Sequence, residues 1–92
     1  MKSNALRIND TDNVVIATRL INKGERVIVN GEPLFEAAQK IEAGHKIALV
    51  PIDAGENVVR YGNPIVRATR AIARGEWVHV HNTRPVPGDL KA

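Results

Sequence analysis

Apolar residues in this chain come in short runs bounded by glycine, proline and charged pairs. Val14 to Leu20 is apolar enough for a buried strand, Arg26 to Val29 alternates into a second, and Lys46 to Val50 makes a third that Pro51 ends. Val58 to Tyr61, Ile65 to Ala68 and Trp77 to His81 complete a strand-rich series. One segment departs from it. Leu34, Phe35, Ala38 and Ile41 recur at helical spacing, Pro33 suits a first helical turn, and Gly44 is placed to stop one. The spacing predicts one short helix from about Leu34 to Ile41, packed by its apolar stripe on a sheet of short strands. The class is therefore mainly β. The last residues, Arg84 to Ala92, contain Pro85 and Pro87 and are expected to leave the sheet, so that residues 1–83 form the domain and 84–92 a tail.

The pattern also repeats. Ala17 to Val29 aligns without a gap on Ala68 to Val80, 51 positions later, with identical residues at Ala17/Ala68, Thr18/Thr69, Arg19/Arg70, Ile21/Ile72, Gly24/Gly75, Glu25/Glu76, Val27/Val78 and Val29/Val80. Two copies of one unit are expected, each a strand, a turn at Lys/Arg-Gly-Glu and a return strand. Glu42-Ala43-Gly44-His45 and Asp53-Ala54-Gly55-Glu56 have the same turn cadence. The copies differ where chemistry is concerned: Arg26, Ile28 and Asn30 of the first become Trp77, His79 and His81 in the second.

All three histidines lie in Gly44-His45-Lys46-Ile47-Ala48 and in Gly75-Glu76-Trp77-Val78-His79-Val80-His81-Asn82. If Trp77 to Asn82 is extended, strand alternation puts Trp77, His79 and His81 on one side and Val78 and Val80 on the other. Imidazoles two residues apart on a strand sit about 6.5–7 Å apart along the backbone, close enough to converge on one metal ion or one anionic substrate. An exposed sheet face also carries histidine as an ordinary polar residue.

Composition narrows the field. At 92 residues the chain is one small domain with a core but little room for a deep private active site. A hydrophobic share of 43% with 25% charged residues is that of a globular protein and not of a disordered segment. No apolar run approaches the roughly 18 residues that span a bilayer, and no signal-peptide stretch follows Met1, so a cytosolic location and no membrane partner are expected. With no cysteine, any metal must use histidine, carboxylate, asparagine or backbone oxygen. The net charge of +3 divides almost evenly along the chain, and only Phe35, Tyr61 and Trp77 are available for base stacking, which argues against a nucleic-acid partner. Arg60, Arg67, Arg70 and Arg74 read as a mildly basic face or as a guide for a carboxylate or an acidic partner subunit.

Asp12-Asn13-Val14-Val15, Gly44-His45-Lys46-Ile47-Ala48-Leu49, Gly55-Glu56-x-Val58-Val59-x-Tyr61-Gly62-x-Pro64-Ile65 and the Trp77 to Asn82 motif occur in order over nearly the whole chain. Together they resemble the SAF domain of the altronate and galactarate dehydratases. The resemblance implies a β-clip fold, a folded-over arrangement of short hairpins. It departs from the family pattern at Val66, where glycine is common, at Arg70 and Ala71, near a position commonly acidic, and at Ile8 and Asn9, where a histidine often stands. In such enzymes the SAF domain either precedes a much larger domain or is a separate small subunit, and the latter is expected here, with a large catalytic subunit as partner and assembly as a homo-oligomer left open. Sulfolactate sulfo-lyase has a small subunit of the same build and is the near rival.

The reaction that the resemblance implies is removal of water from a sugar acid. A proton leaves the carbon beside the carboxylate, hydroxide leaves the next carbon, and a divalent ion, Fe2+ or alternatively Mn2+, holds the enediolate charge. On this reading His79 and His81 serve as metal ligands or acid/base groups, His45 joins them from the neighbouring loop, and Lys46 and Arg60 pair with the carboxylate. Asn82 orients an imidazole or binds a substrate hydroxyl, or is simply a turn residue. Trp77 is expected to anchor the fold or an interface. The competing class is a non-catalytic ligand- or partner-binding module, since SAF-like domains also occur in sialic-acid synthases and in pilus or flagellar assembly proteins. The His-x-His-Asn ending distinguishes the two, because a binding module has no need of paired imidazoles on one copy of a repeat.

Overall fold

The computed structural model describes residues 2–86. Nine short strands make up its regular structure: β1 (Ala5–Leu6), β2 (Val14–Ala17), β3 (Arg26–Val29), β4 (Glu32–Glu36), β5 (Lys46–Ala48), β6 (Asn57–Arg60), β7 (Asn63–Ala68), β8 (Trp77–Val78) and β9 (Thr83–Pro85). One sheet runs β4-β3-β1-β2-β5-β8 and the other β6-β7-β9. No helix among the described residues is long and apolar enough to cross a membrane.

The mainly β class holds, and the short helix does not. Residues Glu32–Glu36 form β4, and Ile41 bridges Ile21 across the fold. The deciding signal is Asn30-Gly31. Both have positive φ, 53° and 76°, and together they close a two-residue hairpin with Val29 opposite Glu32. Pro33 then lies on an edge strand, where a missing N–H is harmless. The apolar spacing taken for helical also fits a strand, since Phe35 and Ala37 are buried two residues apart. Tyr61-Gly62 makes the same turn in the β6–β7 hairpin, with φ of 57° and 75°.

These hairpins reveal the governing duplication, whose period is 31 residues. Ile21 bridges Ile41 as Ile52 bridges Ile72. Val27/Ile28 and Val58/Val59 mark the same bulge. The buried cluster containing Ala17, Ile21, Val27, Ala37, Ile41 and Ile47 recurs in the second core as Ala48, Ile52, Val58, Ala68, Ile72 and Val78. Each copy supplies two glycine turns, and the 51-residue match joins the first turn of one copy to the second turn of the other. The shared chemistry is visible in Arg19–Glu25 at 3.0 Å and Arg70–Glu76 at 3.8 Å, where each glutamate also caps its turn by accepting from the backbone N–H of Asn22 or Ala73.

Side chains outside the repeat lock the bulges. Asn4 accepts from the Ile28 N–H and donates to the Arg26 carbonyl, and Asn13 does the same for Val59 and Asn57. Buried Asp12 accepts from the backbone N–H groups of Gly62 at 2.8 Å and Tyr61 at 3.2 Å, closing the second hairpin. The Asp12-Asn13 motif is thus a structural latch. The tail begins later than expected, because Arg84 and Pro85 pair with Arg67 and Val66 and Val86 is buried. Pro85 is tolerated because β9 is an edge strand. The rest of the expected tail, residues 87–92, lies outside the described residues.

Candidate functional site

β8 is the edge of the six-stranded sheet and pairs with β5, placing Trp77 opposite Ile47 and Lys46 opposite Val78. His45 enters β5 from the Glu42–His45 turn, so both histidine-bearing stretches meet at this edge. Trp77 is the centre of the cluster. Its ring stacks on His79 with centroids 4.8 Å apart and planes inclined by 11°, and it meets His81 at 5.0 Å and His45 at 5.5 Å. His45 and His79 are 5.3 Å apart. The Trp77 Nε1–H donates to Nδ1 of His45 at 3.0 Å, and the Trp77 backbone N–H donates to Oε1 of Gln39 at 3.1 Å.

Strand alternation does not bring the imidazoles together. β8 ends at Val78, and His79 to Asn82 form a turn in which the Asn82 N–H donates to the His79 carbonyl at 3.1 Å. The extended run expected from Trp77 to His81 is interrupted because Asn82 folds back, accepting from the His79 N–H at 2.9 Å and donating to the Trp77 carbonyl at 2.8 Å. Thr83 adds a hydroxyl bond to the His79 carbonyl. Asn82 thereby does for residues 77 and 79 what Asn4 does for 26 and 28. Its side chain is fully buried, so its geometry fits the positioning of an imidazole and not contact with a substrate hydroxyl. Val80 is left at the tip of the turn, 78% exposed.

The electrostatic character is uniformly cationic. Partial burial lowers the Lys46 pKa first, and the charge of Arg60 lowers it further. The His79 pKa is also lowered, mainly by desolvation against its neighbours and then by the charges of His45, Lys46 and His81. Among the described residues no carboxylate acts on either group. Arg60 lies over the Tyr61 ring at 5.1 Å, and its Nε is buried without a protein partner. The wider basic face does not converge in the same way. Arg70 is paired with Glu76, Arg74 lies over Phe35 and Arg67 donates to Asn57.

A titration follows. The folded-state pKa of His79 lies below its ordinary value near 6.5, so the folded chain gains this proton at lower pH than the unfolded chain. Its contribution to stability is complete above about pH 6.5 and declines as the pH falls through that value toward the folded midpoint. The NMR midpoint of the His79 ring is expected below 6.5, and Lys46→Met is expected to raise it. A wild-type midpoint above 6.5 contradicts the cationic environment.

His45, His79, Lys46 and His81 therefore share one cluster, with Arg60 acting on it through Lys46. Sequence reasoning missed Gln39, which it placed in a helix, and it gave Trp77 no part in the site. The Asn30-Gly31 turn would have exposed the first error, and the alternation that puts Trp77 beside His79 and His81 was a signal for the second; only the bond from Trp77 to His45, 32 residues away, had no local signal.

The altronate/galactarate dehydratase SAF domain model matches residues 3–85. Altronate dehydratase from Bacillus subtilis (strain 168) is 42% identical over 86 residues, covering 94% of this chain and 17% of that protein. Altronate dehydratase from Escherichia coli (strain K12) is 40% identical over 85 residues, covering 92% of this chain and again 17% of the relative. The chain thus spans less than a fifth of the length of these curated relatives.

Proposed function

The chain belongs to the altronate/galactarate dehydratase SAF domain family, and on that premise we propose that it is the small component of a sugar-acid dehydratase whose site is completed by a larger catalytic subunit. The observation that supports this reading is the meeting of His45, His79 and His81 around Trp77, beside Lys46 and, among the described residues, without a carboxylate. The relatives' names favour altronate over a sulfonate as substrate class.

Dehydration of a sugar acid requires a base for the weakly acidic proton beside the carboxylate, a counter-charge for the enediolate, and an acid for the departing hydroxide. His79, with its lowered pKa, is neutral at neutral pH and competent to accept the proton. Lys46 supplies positive charge next to it, and Arg60 extends that charge toward a carboxylate. His81, exposed on the same turn, would return a proton to the leaving oxygen. Asn82 holds the turn that carries both imidazoles.

The resemblance also implies Fe2+ or Mn2+, which would act as a Lewis acid on the enediolate. Among the described residues no three histidines, cysteines or carboxylates gather as a metal cage does. His79 and His81 provide at most two nitrogen ligands, and the neighbouring cations oppose a dication. The donor set of this chain does not by itself fit a resident ion, and no step is derived through one.

The test is to purify the tagged chain from its host and identify what accompanies it. A stoichiometric larger polypeptide, with altronate or galactarate dehydration only in the mixture, is the expected result. A chain recovered alone, whose histidine NMR signals do not move with either sugar acid, overturns the reading and leaves a binding module of another kind.

A further inference from the structure

We infer that His45 serves this site as a neutral hydrogen-bond donor through Nε2–H toward an oxygen of the bound sugar acid, and that Trp77 is the positioning residue that holds it in that form. The inference rests on the sugar-acid reading for its ligand and on the structure alone for its donor.

The indole Nε1–H of Trp77 can only donate, and it donates to Nδ1 of His45 at 3.0 Å. An imidazole nitrogen that accepts a hydrogen bond offers its lone pair and carries no proton, so the neutral ring must carry its proton on Nε2. A Trp–His bond therefore acts as a selector of one tautomer. Metal ligation through Nε2 needs a lone pair there, and base catalysis through Nε2 needs the same; neither is available while Trp77 occupies Nδ1. The remaining chemistry of Nε2 is donation.

That donor is open to a ligand. The His45 side chain is half-buried, and among the described residues its Nε2 has no hydrogen-bond acceptor. The ring is also rigidly placed. The His45 N–H donates to the Glu42 carbonyl at 3.2 Å, its carbonyl accepts from the Ala17 N–H at 2.9 Å, and Trp77 is itself fixed by Gln39 and by pairing with Ile47. A fixed neutral donor beside Lys46 suits a carboxylate or hydroxyl oxygen, and it strengthens as charge gathers on that oxygen. The division of labour within the cluster follows from different partners: His79 stacks face to face on Trp77 and, among the described residues, has no hydrogen bond to its ring nitrogens, whereas His45 is fixed by the indole edge.

The experiment is a long-range 1H–15N correlation spectrum of the full chain at neutral pH, in wild type and in Trp77→Phe. The wild-type His45 ring is expected as the Nε2–H tautomer, and loss of the indole N–H is expected to release it into a mixture. A wild-type Nδ1–H tautomer, or a pattern unmoved in Trp77→Phe, overturns the inference whatever the enzyme does. Where Trp77→Phe fails to fold, His45→Gln and His45→Asn in the assembled enzyme replace it. Glutamine places an N–H near the Nε2 position and is expected to keep turnover within about tenfold, whereas asparagine, too short to do so, is expected to lose about 10²-fold, the size of one missing transition-state donor. Equal losses in the two variants overturn it. Adding altronate to the chain assembled with its larger subunit separates the two readings. A correct tautomer with no altronate-dependent shift of the His45 signals overturns the sugar-acid reading while the Trp77–His45 device stands.

Discussion

Gly75→Ala is expected to destabilise the chain by about 3 kcal/mol, a fall in Tm of about 12–24 °C for a domain of this size. Two effects combine. Gly75 has φ of 92°, which an L side chain adopts with strain, and a Cβ there would stand 2.7 Å from the Glu36 carbonyl oxygen and 3.3 Å from the Ala38 nitrogen. Both neighbours are backbone held in place, since Glu36 pairs with Arg26 in the β3–β4 hairpin and the Ala38 N–H donates to the Gly75 carbonyl at 3.0 Å. No flexible side chain can move aside. Gly44, its counterpart 31 residues earlier, has φ of 85°, and a methyl group there would meet nothing within 4 Å. Gly44→Ala should therefore lose only the conformational term, about 1–2 kcal/mol. Thermal melts of the two variants side by side check the claim, and equal losses would refute the close contact between the halves at Gly75.

The second large effect is on turnover. On the proposed function, His79→Ala in the assembled enzyme is expected to lower kcat by about 10²–10⁴-fold, the usual contribution of a positioned acid/base group. The fold should survive. His79 loses its stack on Trp77, but its backbone N–H still donates to Asn82 and its carbonyl still accepts from Thr83. His81→Ala should follow in the same direction with a smaller change in stability, since that ring is exposed. Val80→Ala is the control, because its side chain stands at the tip of the turn away from the cluster. Steady-state kinetics paired with thermal melts decide the matter. A His79→Ala enzyme with near-normal kcat removes the imidazole from the chemistry, and a large loss of folding stability assigns it to the scaffold.

Much of the fold was legible along the chain because turns and strands are local. Glycines at the corners and alternating valines and isoleucines between them mark out β2, β3 and β5 to β8. The segment from Leu34 to Ile41 misled for a physical reason: a strand with one face buried and a helix with one stripe buried both place apolar residues a few positions apart. The arbiter was the Asn30-Gly31 turn before it. The repeat was also half-read, since a match at 51 residues is real in its capped turns while the packing obeys a period of 31.

For the candidate site, the sequence by itself determined which residues were available: three imidazoles, Lys46 and Trp77 in two short motifs, and a duplicated scaffold modified on one arm. It did so because composition and motif spacing are properties of the covalent chain. Only the tertiary structure decided their roles. Pairing of β5 with β8 brought His45 to an indole far along the chain, Asn82 folded the backbone back at His79, and desolvation, followed by the charges of neighbouring cations, shifted Lys46 and His79. Hydrogen bonding, desolvation and charge act through space, and the neighbours that exert them are chosen by the fold.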